Sequence, residues 1–502
     1  MVQIMFDKAK IRLKRKYRIH KRNKNNCLVP LKITNNKLNS SRLRFNAVLE
    51  EIRQDLEKFR LDEKAFEFAS EDFSGYSILS YNGDRMGKVL GYQNKIYRGI
   101  YPKSAESFKK LWGSGLLQVL SKHKMIPETT LTHFSTEDYP IIIHHESVCI
   151  SPSCSWSYDM IKDAAILICI IKKAAEMVGF TLHDGHLNNV TFDKGCPVFT
   201  DIGSFVENKG QYTSCNKEIV FTACYRLLAY HLGNSILNRL QLYDESNNTI
   251  WIQPIEYDDL TREYVCLLKQ YRRYHRLHSS FKCKSIIRKM FCEKEVLPEY
   301  IDLLFPDHPE KNKAIDSNIE ADIQTIKSMV KDLLISSCGD IGGNQGYIAD
   351  ELSDYLDCRA CALEYDQDSA RQTYTRLKKQ KRPVDTYMFN YCFSAGDKAL
   401  QPIVSDLFIA YDITNNCSIR QYYHKDSLLS SLCKLSRKYA LAVYYPNRKI
   451  HDRYEEIDGS TKEKTDDFIR TFSEFFKVIE FKECGASADS EDYRLLILGE
   501  KK

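Results

Sequence analysis

One stretch constrains the fold more than any other. The apolar run Leu333 to Cys338 breaks into Asp340-Ile341-Gly342-Gly343-Asn344-Gln345-Gly346. Glycines in such a turn let the backbone approach a ligand closely, and a helix that follows offers unpaired N–H groups at its N-terminus. Glu364 stands twenty-four residues past Asp340, at the end of the next apolar run. An acid about 20 residues on, at the end of a second strand, can accept hydrogen bonds from both hydroxyls of a ribose.

Strand and helix patterns alternate from this turn onward. Strands are expected at Leu333 to Cys338, Cys358 to Glu364, Asp385 to Cys392, Ser405 to Tyr411, Lys438 to Tyr445, Lys477 to Glu483 and Tyr493 to Leu498. Helices are expected at Gly346 to Tyr355, Asp368 to Lys379 and Asp466 to Phe476. Strands separated by helical stretches of about 10–15 residues argue for βαβ units and a parallel sheet.

The spacing DxGxxxG, in place of GxGxxG, resembles motif I of the class I, S-adenosylmethionine-dependent methyltransferases. The resemblance implies a Rossmann-like doubly wound sheet over residues 325–502 with S-adenosylmethionine packed over the turn. Asp340, Gly342, Asn344 and Gly346 would line its amino-acid end, and Glu364, followed by Asp366, its ribose. The closing pair of strands fits the antiparallel hairpin that ends methyltransferase sheets. A dinucleotide-binding fold is the competing reading of the turn. Methyl transfer needs positioning and, for a poor nucleophile, a base. Asp412 after the fourth strand is the candidate base, or else a helix N-cap beside Ile413 and Thr414.

Further upstream, apolar residues recur at helical spacing from Ala47 to Phe68. Strands are expected at Tyr76 to Tyr81, Lys95 to Ile100 and Ile141 to Val148, with Asn82-Gly83-Asp84 as a turn signal. Ser104 to Leu120 and Tyr158 to Val178 read as helices, and residues 215–330 as mostly helical. Beyond Gly179, Asp184 and Asn189 stand five apart, and Asp201-Ile202-Gly203 follows a short strand, Pro197 to Thr200. That spacing suits phosphoryl transfer: Asp184 orients an attacking hydroxyl, while Asn189 and Asp201 hold magnesium on the phosphates. On the other reading these residues are loop caps.

The same segment resembles the catalytic loop and DFG segment of protein-kinase-like phosphotransferases, which implies ATP and Mg2+ as cofactors of a two-lobed domain over 45–304. Leu182 stands where kinases usually have a histidine, and no GxGxxG precedes it. Arg98 or Lys95, with Glu106 on the next helix, takes the place of the phosphate-pairing lysine and its partner. Both halves together resemble bacterial proteins with a kinase-like half followed by a class I methyltransferase, related to nodulation-specificity methyltransferases. The matching stretches include Ile150-Ser151-Pro152, Trp156, Met160 to Ala165, Pro197-Val198-Phe199 and Ser204-Phe205. The paired histidines that family carries after strand four are replaced by Ile413-Thr414-Asn415-Asn416.

The expected fold class is therefore α/β plus α+β, with a linker over 305–324 between the halves. The expected function is methyl transfer to an oxygen or nitrogen of a polar small molecule or glycan precursor. The alternatives are a small-molecule or glycan phosphotransferase with a degenerate methyltransferase domain, and a double pseudoenzyme scaffold. The longest apolar stretch, Ala164 to Ile171, is far short of the roughly 20 residues of a membrane span. The cationic first twenty residues contain no apolar signal region, so a cytoplasmic location is expected, with the 17 cysteines reduced. Residues 1–44 carry fourteen Lys or Arg against one acid, Asp7, while the whole chain is only +6. This reads as a basic, disordered arm, with nucleic acid or an anionic surface as the alternative partner.

Overall fold

The computed structural model describes residues 35–60, 66, 71, 73–80, 84–151, 155–185, 189–209, 317–343, 345–364, 367–388, 403–412, 425–447 and 459–502. Asn344, Asp366, Ile413 to Asn416 and the helices expected between 215 and 316 lie outside the described residues. The chain divides between Arg44 and Phe45, and Phe45–Lys502 forms one compact unit.

Helix α1, Asn35–Lys58, buries Phe45 and Ile52 and half-buries Val48, Leu49 and Leu56. It begins inside the stretch expected as a basic arm, of which residues 1–34 lie outside the described residues. It stops short of the expected Phe68, where Arg60 donates to the Glu57 and Phe59 carbonyls at 2.7 Å each. A guanidinium on the last carbonyls ends a helix favourably. Five strands then form an antiparallel sheet: β1 Ser77–Ile78, β2 Gly87–Tyr92, β3 Lys95–Ile100, β4 Thr129–Leu131 and β5 Ile141–His145, in the order β1-β2-β3-β5-β4. The one helix expected over Ser104 to Leu120 is two, α2 Ala105–Gly113 and α3 Leu116–Lys122. Gly115 between them has φ 76°, and the Phe59 ring lies 2.4 Å from where its Cβ would stand. Only glycine fits there.

Helix α4, Tyr158–Met177, is buried at Ala164, Ala165, Ile168, Ile171 and Ala174. It leads into β6 Phe180–Leu182, β7 Val190–Asp193, β8 Cys196–Phe199 and β9 Phe205–Glu207, which pair as β6–β9 and β7–β8. The next described element, α5 Ser317–Val330, begins inside the stretch expected as a linker. Its Ile323, Ile326 and Val330 pack into the core of the following sheet.

That sheet has seven strands in the order β12-β11-β10-β13-β14-β16-β15. In chain order the elements are β10 Ser337–Ile341, α6 Tyr347–Leu356, β11 Arg359–Glu364, α7 Gln367–Lys379, β12 Val384–Met388, β13 Ser405–Tyr411, α8 Lys425–Leu435, β14 Ser436–Tyr444, α9 Thr461–Phe475, β15 Phe476–Cys484 and β16 Arg494–Lys501. The pairs β10–β11, β11–β12, β10–β13 and β13–β14 are parallel, and β14–β16 and β15–β16 are antiparallel. Helices cover both faces, with α5, α6 and α7 on one and α8 and α9 on the other. The first strand begins later than its apolar residues suggest, because Leu334 is 85% exposed and only Ser337 onward pairs with β11. The shift carries Asp340 into the strand, opposite Ala362 and Ile409. The strand order reverses at β10, so a crevice opens beyond the carboxyl ends of β10 and β13. At the far edge, β15 leaves Lys477, Ile479, Phe481 and Glu483 exposed. Among the described residues no helix is long and apolar enough to cross a membrane.

The two halves are packed together, chiefly through α7. Tyr374 lies in the N-terminal core with Phe192, and its hydroxyl donates to Asp163 on α4 at 2.5 Å. Lys378 pairs with the same carboxylate, and Thr375 donates to Asp159 at 3.2 Å. The β7–β8 turn meets the edge strand β12: the Gly195 amide donates to Asp385 at 2.9 Å, and a Cβ on Gly195 would stand 3.1 Å from the Val384 carbonyl. Arg359 bridges Asp193 and Asp385 at 3.1 and 2.7 Å. Replacing a fully buried aromatic by alanine costs about 3–5 kcal/mol. Tyr374→Ala should lower stability on that scale in urea titration. Tryptophan fluorescence and far-UV circular dichroism should report the same midpoint, because both halves lose their shared contact.

Candidate functional site

Two clusters of polar residues stand apart from the hydrophobic core. The first is built on β10, its glycine turn and β11. Asp340 is fully buried beneath the turn, and neither carboxylate oxygen meets a donor in hydrogen-bond geometry. Burial pushes its pKa up to about 7, with the Ala349 amide acting in the opposite direction. Such a carboxylate is costly unless a ligand or partner supplies donors. The turn packs on it directly, since a Cβ on Gly343 would stand 2.0 Å from Asp340 Oδ2. Gly342 and Gly346 have φ 68° and 72°, the left-handed region that glycine enters without penalty. The Gly342 amide donates to Leu363 at 2.8 Å, tying the turn to β11. Glu364 is buried at the last position of β11, level with the turn. Asp340, Gly342, Gly346 and Glu364 are thus brought together; Asn344 and Asp366 lie outside the described residues.

Sequence reasoning missed Arg376. From α7 it donates to the Gln345 carbonyl at 2.8 Å and to Asp350 at 2.9 Å, and its guanidinium lies 4.3 Å over the Tyr347 ring. It braces the outer side of the turn. Its only signal was a cation on the polar face of an amphipathic helix, which is ordinary.

At the carboxyl ends of β13 and β14 the Tyr411 hydroxyl donates to Asp322 at 2.7 Å and lies 2.7 Å from the Tyr445 hydroxyl. Arg494 holds Asp322 through two bonds of 2.6 Å. Burial, and then the Asp322 charge, raise the Tyr411 pKa far above the ordinary phenol value. Burial pushes Tyr445 up to about 12, so both rings stay neutral near pH 7. Asp412, the next residue, is buried with φ 56°, and its amide donates to the Val443 carbonyl at 3.0 Å.

The second cluster lies between β3 and the loops around β7. Arg98 on β3 is only 4% exposed; it pairs with Asp84, and its guanidinium is 3.7 Å from Asp201. Asn189 donates to Asp201 Oδ2 at 3.3 Å, and Ser204 donates to the same oxygen at 2.5 Å. The Asp184 carbonyl accepts from Asn189 at 3.0 Å and from Ser204 at 3.1 Å, which fixes the loop carrying Asp184. Arg98, Asn189 and Asp201 therefore meet, joined by the backbone carbonyl of Asp184. Glu106 does not join them, since it is exposed and pairs with Lys109. The acid on Arg98 is Asp84, from the turn before β2. The donor set fits a divalent ion poorly. Asp201 Oδ2 already accepts two bonds and Oδ1 faces a guanidinium, so a cation would have to displace Arg98.

No family model matches the chain, and no curated protein matches it. Among solved structures, the N-methyltransferase NodS from Bradyrhizobium japonicum is 12% identical with a TM-score of 0.28, over 37% of this chain and 88% of that one. Magnesium protoporphyrin IX methyltransferase from Synechocystis is 8% identical with a TM-score of 0.28, over 38% and 90%. PH0226 from Pyrococcus horikoshii is 12% identical with a TM-score of 0.29, over 37% and 92%. Such values lend no weight to any residue's role, which the geometry alone must supply.

Asp340 gives the first cluster a pH signature. Its carboxyl titrates near 3.8 in an unfolded chain and near 7 in the fold, so between these values the native state keeps a proton that the unfolded state has lost. Its contribution therefore makes stability fall as pH rises through that window. Asp340→Asn should flatten the fall in melting temperature and leave the ligand-free protein more stable above pH 7. An unchanged pH profile in the variant would show that the carboxyl is ionised throughout.

Proposed function

We propose that the C-terminal half is an S-adenosylmethionine-dependent methyltransferase acting on an oxygen or nitrogen of a polar small molecule or glycan precursor. The observation that carries this reading is the buried Asp340 carboxylate, to which no side chain donates, beneath a left-handed glycine turn with Glu364 at the end of the adjacent strand. The seven-stranded order, with its antiparallel closing hairpin, supports it.

S-adenosylmethionine, when bound, supplies an electrophilic methyl group on a sulfonium centre. The chain's residues bind and orient. Glu364 accepts from the ribose hydroxyls, and Asp340 with the turn amides receives the amino-acid end. Arg376 keeps the turn in place from outside. At the exit of β13, Asp412 would take a proton from the acceptor, and the Tyr411–Tyr445 pair supports this reading by fixing the strand ends beside it. Near pH 7 these phenols act as neutral hydrogen-bonding groups.

A second reading concerns the N-terminal half. The meeting of Arg98, Asn189 and Asp201, with the loop of Asp184 tied to them, favours a phosphotransferase-like nucleotide site within residues 45–304. Asp184 would orient an acceptor hydroxyl in such a site.

Glu364→Ala tests the first reading. A lost charge-assisted hydrogen bond costs about 1.5–3 kcal/mol, so calorimetry should show S-adenosylmethionine binding weakened by about tenfold or more. Equal affinity in a variant of unchanged circular dichroism would sink the cofactor assignment.

A further inference from the structure

We propose that the N-terminal site is an anion site held shut by the chain's own carboxylate, with Asp84 occupying the guanidinium that would otherwise receive a phosphate. The anion part stands on geometry; that the phosphate belongs to a nucleotide rests on the phosphotransferase-like reading above.

Arg98 is nine-tenths buried, and a buried guanidinium persists only where acceptors surround it. Asp84 and Asp201 take its Nη groups, while its Nε has no partner. One donor of the fork therefore remains unmatched. Asp84 is aimed, not merely near. Its Oδ1 accepts from the Met86 and Gly87 amides at 3.0 and 3.3 Å, an Asx turn that leaves Oδ2 for Arg98. The floor is Gly203, where a Cβ would stand 2.6 Å from Asp84 Oδ1, 3.0 Å from Arg98 Nη1 and 3.1 Å from Asp201 Oδ1. Any larger residue would push the three groups apart.

A phosphate oxygen can accept from the same guanidinium N–H that Asp84 Oδ2 takes here. Asp84 thus fills the place of the ligand. With two carboxylates on one guanidinium the trio carries net negative charge, which repels a further anion. His145, on the neighbouring β5, adds no positive charge, because burial and then Arg98 push its pKa down to about 3. Neutralising Asp84 brings the trio to zero net charge, removes the repulsion and frees part of the fork.

The test uses the full chain as wild type, Asp84→Asn, Gly203→Ala and the double variant Asp84→Asn/Arg98→Met. The Asp84→Asn change keeps the Asx turn and removes its charge, whereas Gly203→Ala presses hardest on Asp84 Oδ1 and changes no charge. ATP and inorganic tripolyphosphate are titrated by calorimetry, in EDTA and with magnesium. We expect wild type to bind both weakly. Asp84→Asn and Gly203→Ala should each bind about tenfold tighter or more without metal, a gain lost in the double variant. No gain in either folded single variant overturns the proposal. Tight magnesium-dependent ATP binding by wild type, not improved in Asp84→Asn, also overturns it, yet leaves the phosphotransferase-like reading standing. A gain for tripolyphosphate but not for ATP supports the anion site and removes the nucleotide.

Discussion

The Asp163 carboxylate, shared by the Tyr374 hydroxyl and the Lys378 ammonium, joins the halves of this chain. Both donors sit on α7, and the same helix sends Arg376 in another direction, onto the Gln345 carbonyl of the glycine turn. One thirteen-residue helix therefore packs against α4 with one set of side chains and braces the turn with another. Close-packed interiors transmit small displacements, because side chains have few alternative positions. Helix α7 thus links α4 to Gln345, and no residue of the N-terminal half needs to reach the turn.

Buried charge is treated differently in the two clusters. Around Arg98 every charge has an opposite charge close by, and the trio is closed over Gly203. Asp340 has no such counterpart, and its burial raises its pKa. A closed ion-pair cluster resists ligands that bring the wrong sign. An uncompensated carboxyl favours a ligand that brings donors. The same desolvation cost is thus met by counter-charge in one half and by a raised pKa in the other.

The glycine turn and Glu364 were legible in the sequence because both depend on local chemistry: a backbone that needs glycine, and an acid at a strand end. The closing hairpin was legible because no helical stretch separates its strands. Asp184, Asn189 and Asp201 could be found because turns and a short strand hold their spacing. The Asp84–Arg98 pair could not, since fourteen residues separate them and the helix that follows β3 offered Glu106 as an equally good acid. Arg494 and Asp322, 172 residues apart, are joined only by the sheet's topology. Leu333 to Cys338 misled for a simpler reason: Leu334 is apolar yet exposed, so hydropathy placed the strand too early.

A mixed sheet leaves unpaired backbone groups along its outermost strands, and such rows invite another chain to pair with them. At β12 the tip of the β7–β8 turn is pressed against the strand at Gly195, so the N-terminal half guards that side. At β15 the protection is chemical, with Lys477 and Glu483 flanking Ile479 and Phe481. The two edges therefore fail in different ways: a protein whose halves are pulled apart would bare β12 to strand addition and aggregation, whereas β15 would be no more exposed than before.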